Sequence, residues 1–309
     1  MDTINSINRQ LDRLREFFSE HIKSDYVYLD VPGHMNVGDH LIAMGAWELL
    51  KEAPFRCLAK STIQSFNYKI PSDALILLHG GGNFGDLYPG ANWFRNEIVK
   101  RFPHNKIIFL PQTITYKNLQ LIGNDSTICA KHNNLHICAR DADSFNILHE
   151  FFSANNLYLL PDTALGLYNM LKKKDSLTSE RTLLIDRNDS ERSGNPLVVA
   201  DDVKDWIDIL EEINIAPYIS VYRALYRAGK NLHSSIIKRA HDRYLINRIH
   251  PYLLEHATDY FLRYDKVYTT RLHGYIFATM LHIPVEYIDT KYGKISGYIK
   301  TWFNNNDSI

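Results

Sequence analysis

The chain opens with apolar side chains at Ile4, Ile7, Leu11, Leu14, Phe18 and Ile22, a three-and-four spacing that predicts an amphipathic helix. Behind it the pattern changes to short, solidly apolar runs: YVYLDV (26–31), ALILLH (74–79), KIIFLP (106–111), LHICAR (135–140) and LYLLPD (157–162), mostly separated by helix-length stretches. Runs apolar on both faces suit a parallel sheet covered by helices on either side, and the first such unit is expected to end near Leu171. The polar stretch KKKDSLTSER (172–181) reads as a linker. A second unit follows, with TLLIDR (182–187) as a strand and DDVKDWIDILEEI (201–213) as a helix carrying Val203, Trp206, Ile207, Leu210 and Ile213 on one face. KVYTTR (266–271), LHGYIFATMLH (272–282), VEYI (285–288) and a segment closing through Trp302 then read strand, helix, strand, helix. The expected architecture is α/β, with domains at 1–171 and 172–309.

Residues 216–250 break the alternation. The stretch from Pro217 carries seven Lys or Arg against one acid, Asp242, a formal +6 in a chain whose total is zero. Tyr218, Tyr222 and Tyr226 lie four apart, as do Arg223 and Arg227, so a helix presents an aromatic stripe beside a basic one. The plain reading is a helical excursion that packs its tyrosines and leaves its arginines solvated. The functional reading is a surface for anionic lipid or for a diphosphate-bearing acceptor at a membrane.

Length and composition narrow the field. At 309 residues the chain exceeds one core and suits two domains. Its 35 basic residues balance 35 acidic ones, which argues against a nucleic-acid binder relying on overall charge. Cys57, Cys129 and Cys138 are an odd number without C-x-x-C spacing, so neither a disulfide framework nor a zinc site is expected, and a reducing cytoplasm fits. The first residues lack the apolar core of a signal peptide, and no long uninterrupted apolar run reads as a membrane span.

Three segments bring glycine and polar groups together after an apolar run. In VPGHMNVGDHLIAMG (31–45), Asp39 is placed to cap a helix beginning near His40, and a helix N-terminus is an anion site; a plain strand-to-helix turn stands beside that reading. In LLHGGGNFGDLYPG (77–90), Gly80, Gly81 and Gly82 offer exposed amides or unusual dihedrals. They match neither a P-loop, for want of its lysine, nor a dinucleotide fingerprint. In TTRLHG, Arg271 ends a strand and His273 begins a helix, at the edge where open α/β sheets bind ligands. Arg271 can grip a carboxylate or phosphate through two parallel hydrogen bonds. The helix N-terminus lowers the basicity of His273, and a bound anion restores it. A structural arginine and a capping histidine remain the alternative.

Taken in order, N-x-G-D, HGGGNFGD, PQT (111–113), ARDADS (139–144), Pro161-Asp162, R-x-D-x-E (187–191), TTRLHG and YGK (292–294) resemble the polysaccharide pyruvyl transferase family from about residue 30 to residue 302. The resemblance implies two Rossmann-like domains facing across a GT-B-like cleft. It also implies transfer of pyruvate from phosphoenolpyruvate to two hydroxyls of one sugar, giving a cyclic ketal on a surface glycan or exopolysaccharide. Carried over residue by residue, it assigns Arg271 and His273 to donor binding and catalysis. The chemistry agrees: the donor becomes electrophilic at C2 only when C3 is protonated, so an acid is needed, and its roughly three negative charges need cations.

Arg140, Lys294, Gly80, Gly81, Gly82 and Asn83 are further donor-site candidates, with an ion pair between Arg140 and Asp141 or Asp143 as the alternative for that arginine. Asn36, Asp39, Asp86, Asp162, Arg187 and Asp189 are candidates for the acceptor or the base, and nothing in the sequence ranks them. Cationic side chains can neutralise the donor without a metal, although a divalent ion is compatible. The implied partners are phosphoenolpyruvate and a sugar acceptor, one built on undecaprenyl diphosphate included, with peripheral contact to an anionic membrane and no nucleic acid. Two other readings stand beside this one: a GT-B-like glycosyltransferase using a nucleotide sugar, and a non-catalytic glycan- or anion-binding relative.

Overall fold

A computed structural model describes residues 3–67, 69–176, 179–189, 192, 198–289 and 293–303. In chain order its elements are α1 (Thr3–His21), β1 (Tyr26–Leu29), α2 (Val37–Leu50), β2 (Cys57–Ser61), β3 (Leu75–Leu78), β4 (Gly81–Gly85), α3 (Pro89–Arg101), β5 (Ile107–Thr115), α4 (Leu119–Ala130), β6 (Leu135–Ala139), α5 (Ala142–Phe151) and β7 (Asn156–Leu159). A 3-10 turn at Thr163–Leu167 leads to β8 (Thr182–Ile185), β9 (Asp202–Lys204), α6 (Trp206–Glu212), α7 (Ala216–Asn231) and α8 (Ser235–Tyr244). A π-helical turn at Leu245–Ile249 joins α9 (His250–Phe261), followed by β10 (Lys266–Thr269), α10 (Leu272–Met280), β11 (Val285–Tyr287) and α11 (Lys294–Trp302).

The strands form two parallel sheets of a Rossmann-like α/β fold. The first runs β2-β1-β3-β5-β6-β7, with β4 also paired to β5; the second runs β11-β10-β8-β9. Every side chain of β1, β3 and β6 is buried, which is why these strands read as unbroken apolar runs. In each sheet the chain leaves one central strand, adds a neighbour on one side, and returns to the other side. The reversals fall between β1 and β3 and between β8 and β10. At such a point the two connections diverge and open a crevice at the strands' carboxyl ends.

One apolar cluster runs from Ile7 and Leu14 of α1 through Leu41 and Ala43 of α2 to Ile276 and Phe277 of α10 and Tyr298 of α11. Buried on nearly every side, α2 and α10 lie between the sheets and hold their N-termini in place. α11 returns to the first sheet, where Trp302 Nε1 donates to the Arg140 carbonyl at 2.8 Å and Ser6 Oγ donates to the Trp302 carbonyl at 2.8 Å.

Two local readings are corrected. Residues 201–213 do not form one helix: Asp202–Lys204 pairs with β8, and the Asp205–Asp208 capping box starts α6 at Trp206. Val203 and Ile207 are accordingly exposed while Trp206, Ile209, Leu210 and Ile213 are buried. The cap of α2 is Asn36, whose side chain accepts from Gly38 N, and Asp39 lies in the first turn. The linker stretch is pinned where described, with Lys174 Nζ 2.8 Å from Asp265. In the 216–250 excursion Tyr222 is buried and stacked on His241, and Tyr218 packs on Tyr252, while Arg223 and Arg227 are exposed.

Three interior histidines are held neutral. Burial drives the pKa of His40 down to about 4 and that of His79 to about 3, and that of His250 is lowered too. Lowered histidine pKa values mean that the unfolded chain binds more protons than the native one below about pH 6.5, so stability falls with pH there. Thermal unfolding followed by circular dichroism should give a midpoint that drops between about pH 7 and about pH 5, and His250→Asn should flatten that dependence.

Candidate active site

A cavity of about 820 Å³ opens where the carboxyl ends of the two sheets meet. Its wall takes Asp30 and His79 from the β1/β3 reversal, Arg187 and Arg271 from the β8/β10 reversal, and Arg140 from the end of β6. The N-termini of α2, α10 and α11 border it through Asn36, Asp39, Leu272, His273, Lys294 and Ile295. Helix N-termini present unpaired amides and a partial positive charge, so three together favour anionic ligand groups.

Beneath the wall lies a buried ion cluster. Arg140 donates through Nε to Thr113 Oγ1 at 2.8 Å and through Nη1 to Asp162 Oδ2 at 2.7 Å. His273 Nε2 lies 3.2 Å from the same Asp162 oxygen and 3.5 Å from Arg140 Nη1. Burial alone would raise the Asp162 pKa. His273, Arg140 and the Ala164 amide outweigh that and hold the carboxyl well below its usual range. The imidazole of His273 rests on Gly38, where a Cβ would come within 2.5 Å of Nδ1, so this position accepts no side chain. Arg140 thus pairs with Asp162, whereas Asp141 caps α5 through Ser144 N.

The glycine run is a short strand. Gly81 has φ 110, a backbone that L side chains rarely adopt, and a Cβ on Gly80 would sit 2.8 Å from the Pro111 carbonyl. Gly82 faces the cations: a Cβ there would lie 3.4 Å from Arg140 Nη2 and 3.8 Å from Lys294 Nζ. An anion seated over Gly82 therefore meets a guanidinium from the first sheet and an ammonium from the α11 N-terminus.

Arg271 lines the same cavity with much of its fork engaged. Nε and Nη2 hold Asp205 at 2.5 and 2.6 Å, and Nη2 reaches Asp189 at 3.3 Å. Asp189 is itself gripped by Arg187 through Nε at 2.8 Å and Nη2 at 3.0 Å. Asn36 donates to Asp39 Oδ2 at 2.8 Å. Asn83 accepts from Arg95 Nη2 at 2.7 Å and donates to Asp30 at 3.4 Å. Asp86 lies outside the cavity wall, where its carboxylate accepts from the amides of Lys117 and Asn118. Asp162 sits below the wall and acts through its neighbours. Tyr292 of the YGK motif and Glu191 of R-x-D-x-E lie outside the described residues. Among those described, no three His, Cys, Asp or Glu side chains gather to hold a metal.

The wall residues that sequence reasoning passed over include Asp30, His79, Tyr88 and Trp93. The first two carried a signal, since each directly follows a buried strand. Tyr88 and Trp93 are half-exposed aromatics at the mouth, 50% and 55% accessible, and such rings offer stacking faces to a sugar.

Two parallel sheets with a charged cavity at both reversals define an α/β fold of the kind that binds ligands at its strands' carboxyl ends. The chain belongs to the polysaccharide pyruvyl transferase family, whose model matches residues 36–292. It is 32% identical over 286 residues to "Putative pyruvyl transferase EpsO" of Bacillus subtilis (strain 168), covering 91% of this chain and 86% of that one. It is 28% identical over 291 residues to "Pyruvyl transferase 1" of Schizosaccharomyces pombe (strain 972 / ATCC 24843), covering 88% and 68%. A crystal structure of an uncharacterized protein from Klebsiella pneumoniae shares the fold, with a TM-score of 0.57 and 19% identity over 96% of this chain and 95% of that one.

Breaking the buried cluster leaves an uncompensated charge. Asp162→Ala should lower unfolding stability by about 3–5 kcal/mol, measured by urea denaturation, whereas Asp86→Ala should cost much less.

Proposed function

We propose that the protein transfers pyruvate from phosphoenolpyruvate to two hydroxyls of one sugar, forming a cyclic ketal during surface or exopolysaccharide biosynthesis. The observation that carries this reading is the meeting of Arg140 Nη2 and Lys294 Nζ over Gly82, in the cavity that His273 also lines. The donor's phosphate and carboxylate sit among Arg140, Lys294 and the three helix N-termini. Arg271, fixed by Asp205, contributes its field and its remaining donor from the second sheet. His273 protonates C3, and Asp162 orients it. The two sheets are read as Rossmann-like domains dividing near Leu171 and facing each other in the GT-B manner. The donor brings its own leaving group, so the proposed steps call for no resident cofactor.

Family membership favours this over nucleotide-sugar transfer. The test is incubation with phosphoenolpyruvate and a panel of 4-nitrophenyl hexosides and N-acetylhexosaminides, following phosphate release and acceptor mass. Phosphate release coupled to gain of one pyruvate less one water is expected, with His273→Ala losing about 10²–10⁴-fold in kcat while still binding donor. Thermal stabilisation by UDP- or GDP-sugars but not by phosphoenolpyruvate would overturn the donor assignment.

The acceptor is placed on a polyprenyl diphosphate carrier such as undecaprenyl diphosphate, at the inner face of the cell membrane, with the protein cytoplasmic and peripheral. Among the described residues no helix is long and apolar enough to cross a membrane. Support comes from α7 and α8, which expose Arg223, Arg227, Lys230, Arg239 and Arg243, with Leu232 and Ile236 68% and 71% accessible around their turn. This hairpin touches the cavity loop, Tyr222 Oη lying 3.4 Å from the Gly33 carbonyl. Sedimentation with phosphatidylglycerol vesicles should weaken with salt, with charge reversal at Arg223, Arg227 and Arg239, and with Leu232→Ser/Ile236→Ser. Unchanged partitioning rejects membrane contact.

A further inference from the structure

Ketal formation removes a proton from each of two sugar hydroxyls, so the site needs a base as well as an acid. Among the described residues four carboxylates stand in or under the cavity wall besides Asp30, and each is committed. Asp162 is buried beneath Arg140 and His273. Asp189 is gripped through both oxygens by Arg187, and Asp205 through both by Arg271. Asp39 accepts from Asn36 at 2.8 Å and lies 3.5 Å from His34 Nε2. Burial would raise its pKa, but His34, foremost among the neighbouring histidines, helps to outweigh that and lower it, which makes it a weak proton acceptor.

Asp30 differs on every count. It is the first residue beyond β1, at the β1/β3 reversal, and lines the cavity while only 8% accessible. Its backbone has φ 63, a left-handed conformation unfavourable to any residue with a Cβ, at the point where the strand gives way to the cavity loop. Among the described residues no cation pairs with it directly. Its contact is the Asn83 amide at 3.4 Å, and Asn83 is fixed from behind by the buried Arg95, which bonds both its side-chain oxygen and its carbonyl. A charge two groups away thus positions the carboxylate without quenching it.

We infer that Asp30 is the general base of this site, taking the proton of the first sugar hydroxyl as that oxygen attacks the donor. The inference rests on the donor reading above. The hydroxyl O–H bond breaks and its proton passes to Asp30. The oxygen bonds to C2, the C2–C3 π pair moves to C3, and C3 takes the proton of His273. The C2–O bond to phosphate then breaks, its pair leaving with phosphate. The second hydroxyl bonds to C2 and returns its proton to His273, while the proton on Asp30 leaves with phosphate, so both side chains end as they began.

Asp30 is tuned for this task. Burial pushes its pKa up to about 6, opposed by Arg95 of α3 and His34 of the loop before α2, reinforced by Asp39 of α2, and opposed by the Asn83 amide of β4. Tyr28 of β1 faces it electrostatically as well. A base in this range is ionised at neutral pH yet still accepts a proton.

The test measures phosphate release by the full chain with phosphoenolpyruvate and the 4-nitrophenyl glycoside that turns over best in the panel. Asp30→Asn should lower kcat about 10²–10⁴-fold, leave donor-induced thermal stabilisation unchanged, and abolish the acidic limb of the kcat/KM profile near pH 6. Asn83→Ala removes the amide that favours the ionised carboxylate, so it should shift that limb to higher pH while turnover persists above it. Wild-type kcat or a retained limb in Asp30→Asn overturns the inference. Where Asp30→Asn does not fold, an unmoved limb in Asn83→Ala overturns it. A wild type inactive with phosphoenolpyruvate on every glycoside sinks the donor reading and the base with it, whereas an active wild type beside a fully active Asp30→Asn sinks the base alone.

Discussion

The structure depends on a buried charge that must be matched. Arg140 is 3% accessible at the end of β6, and an unpaired guanidinium there would cost several kcal/mol. Its match comes from Asp162, just beyond β7, and Asp162 in turn holds His273 of α10, an element of the second half. A pairing that first-sheet electrostatics require therefore fixes where the second sheet's helix can sit. Because Asp162 has one oxygen between an arginine and a histidine, a small displacement of α10 loosens both contacts together.

The same constraint explains why the cavity lies where it does. Each sheet opens a crevice at its own reversal, and α2 and α10, buried between the sheets, turn their N-termini toward it. His273 packs on Gly38 with no room for a methyl group, so the two helices register at one residue pair. Cations and amides already held apart by the scaffold need no rearrangement to receive an anion, the condition under which fixed dipoles stabilise charge best.

Much of this was legible in the sequence because buried parallel strands leave unbroken apolar runs. β1, β3, β5 and β6 follow that rule, whereas β4 and β9 do not: β4 is mostly glycine around a single buried Phe84, and β9 alternates at an edge where Val203 faces solvent. The Asp205 box that begins α6 lies inside what looks like one helical face. In the site, Arg271, His273 and the glycines announce themselves through residue type and spacing. Asp30 has only its place just beyond a buried strand to mark it, and an aspartate ending YVYL looks like any strand terminator. Its significance comes from a dihedral, a reversal and a neighbour 53 residues away. Asp86 shows the converse, a motif residue whose carboxylate is occupied by the amides of another loop.

The return of α11 to the first sheet has a kinetic side. Tyr298 Oη bonds Gln10 across 288 residues, and the Ser6–Trp302 bond spans 296. Contacts of such separation close the largest loops in the chain and reward folding only after intervening structure is in place. The bonds that join α1 to α11 therefore reward folding only once the structure between them has formed, and the same helix α11 carries Lys294 to Gly82. Either sheet can collapse earlier around its own apolar strands, but such an intermediate has an open face where α11 belongs and an anion pocket lacking one wall. The native cavity is in this sense a record of completed folding, and a chain stalled before that closure is a target for proteolysis rather than a slow enzyme.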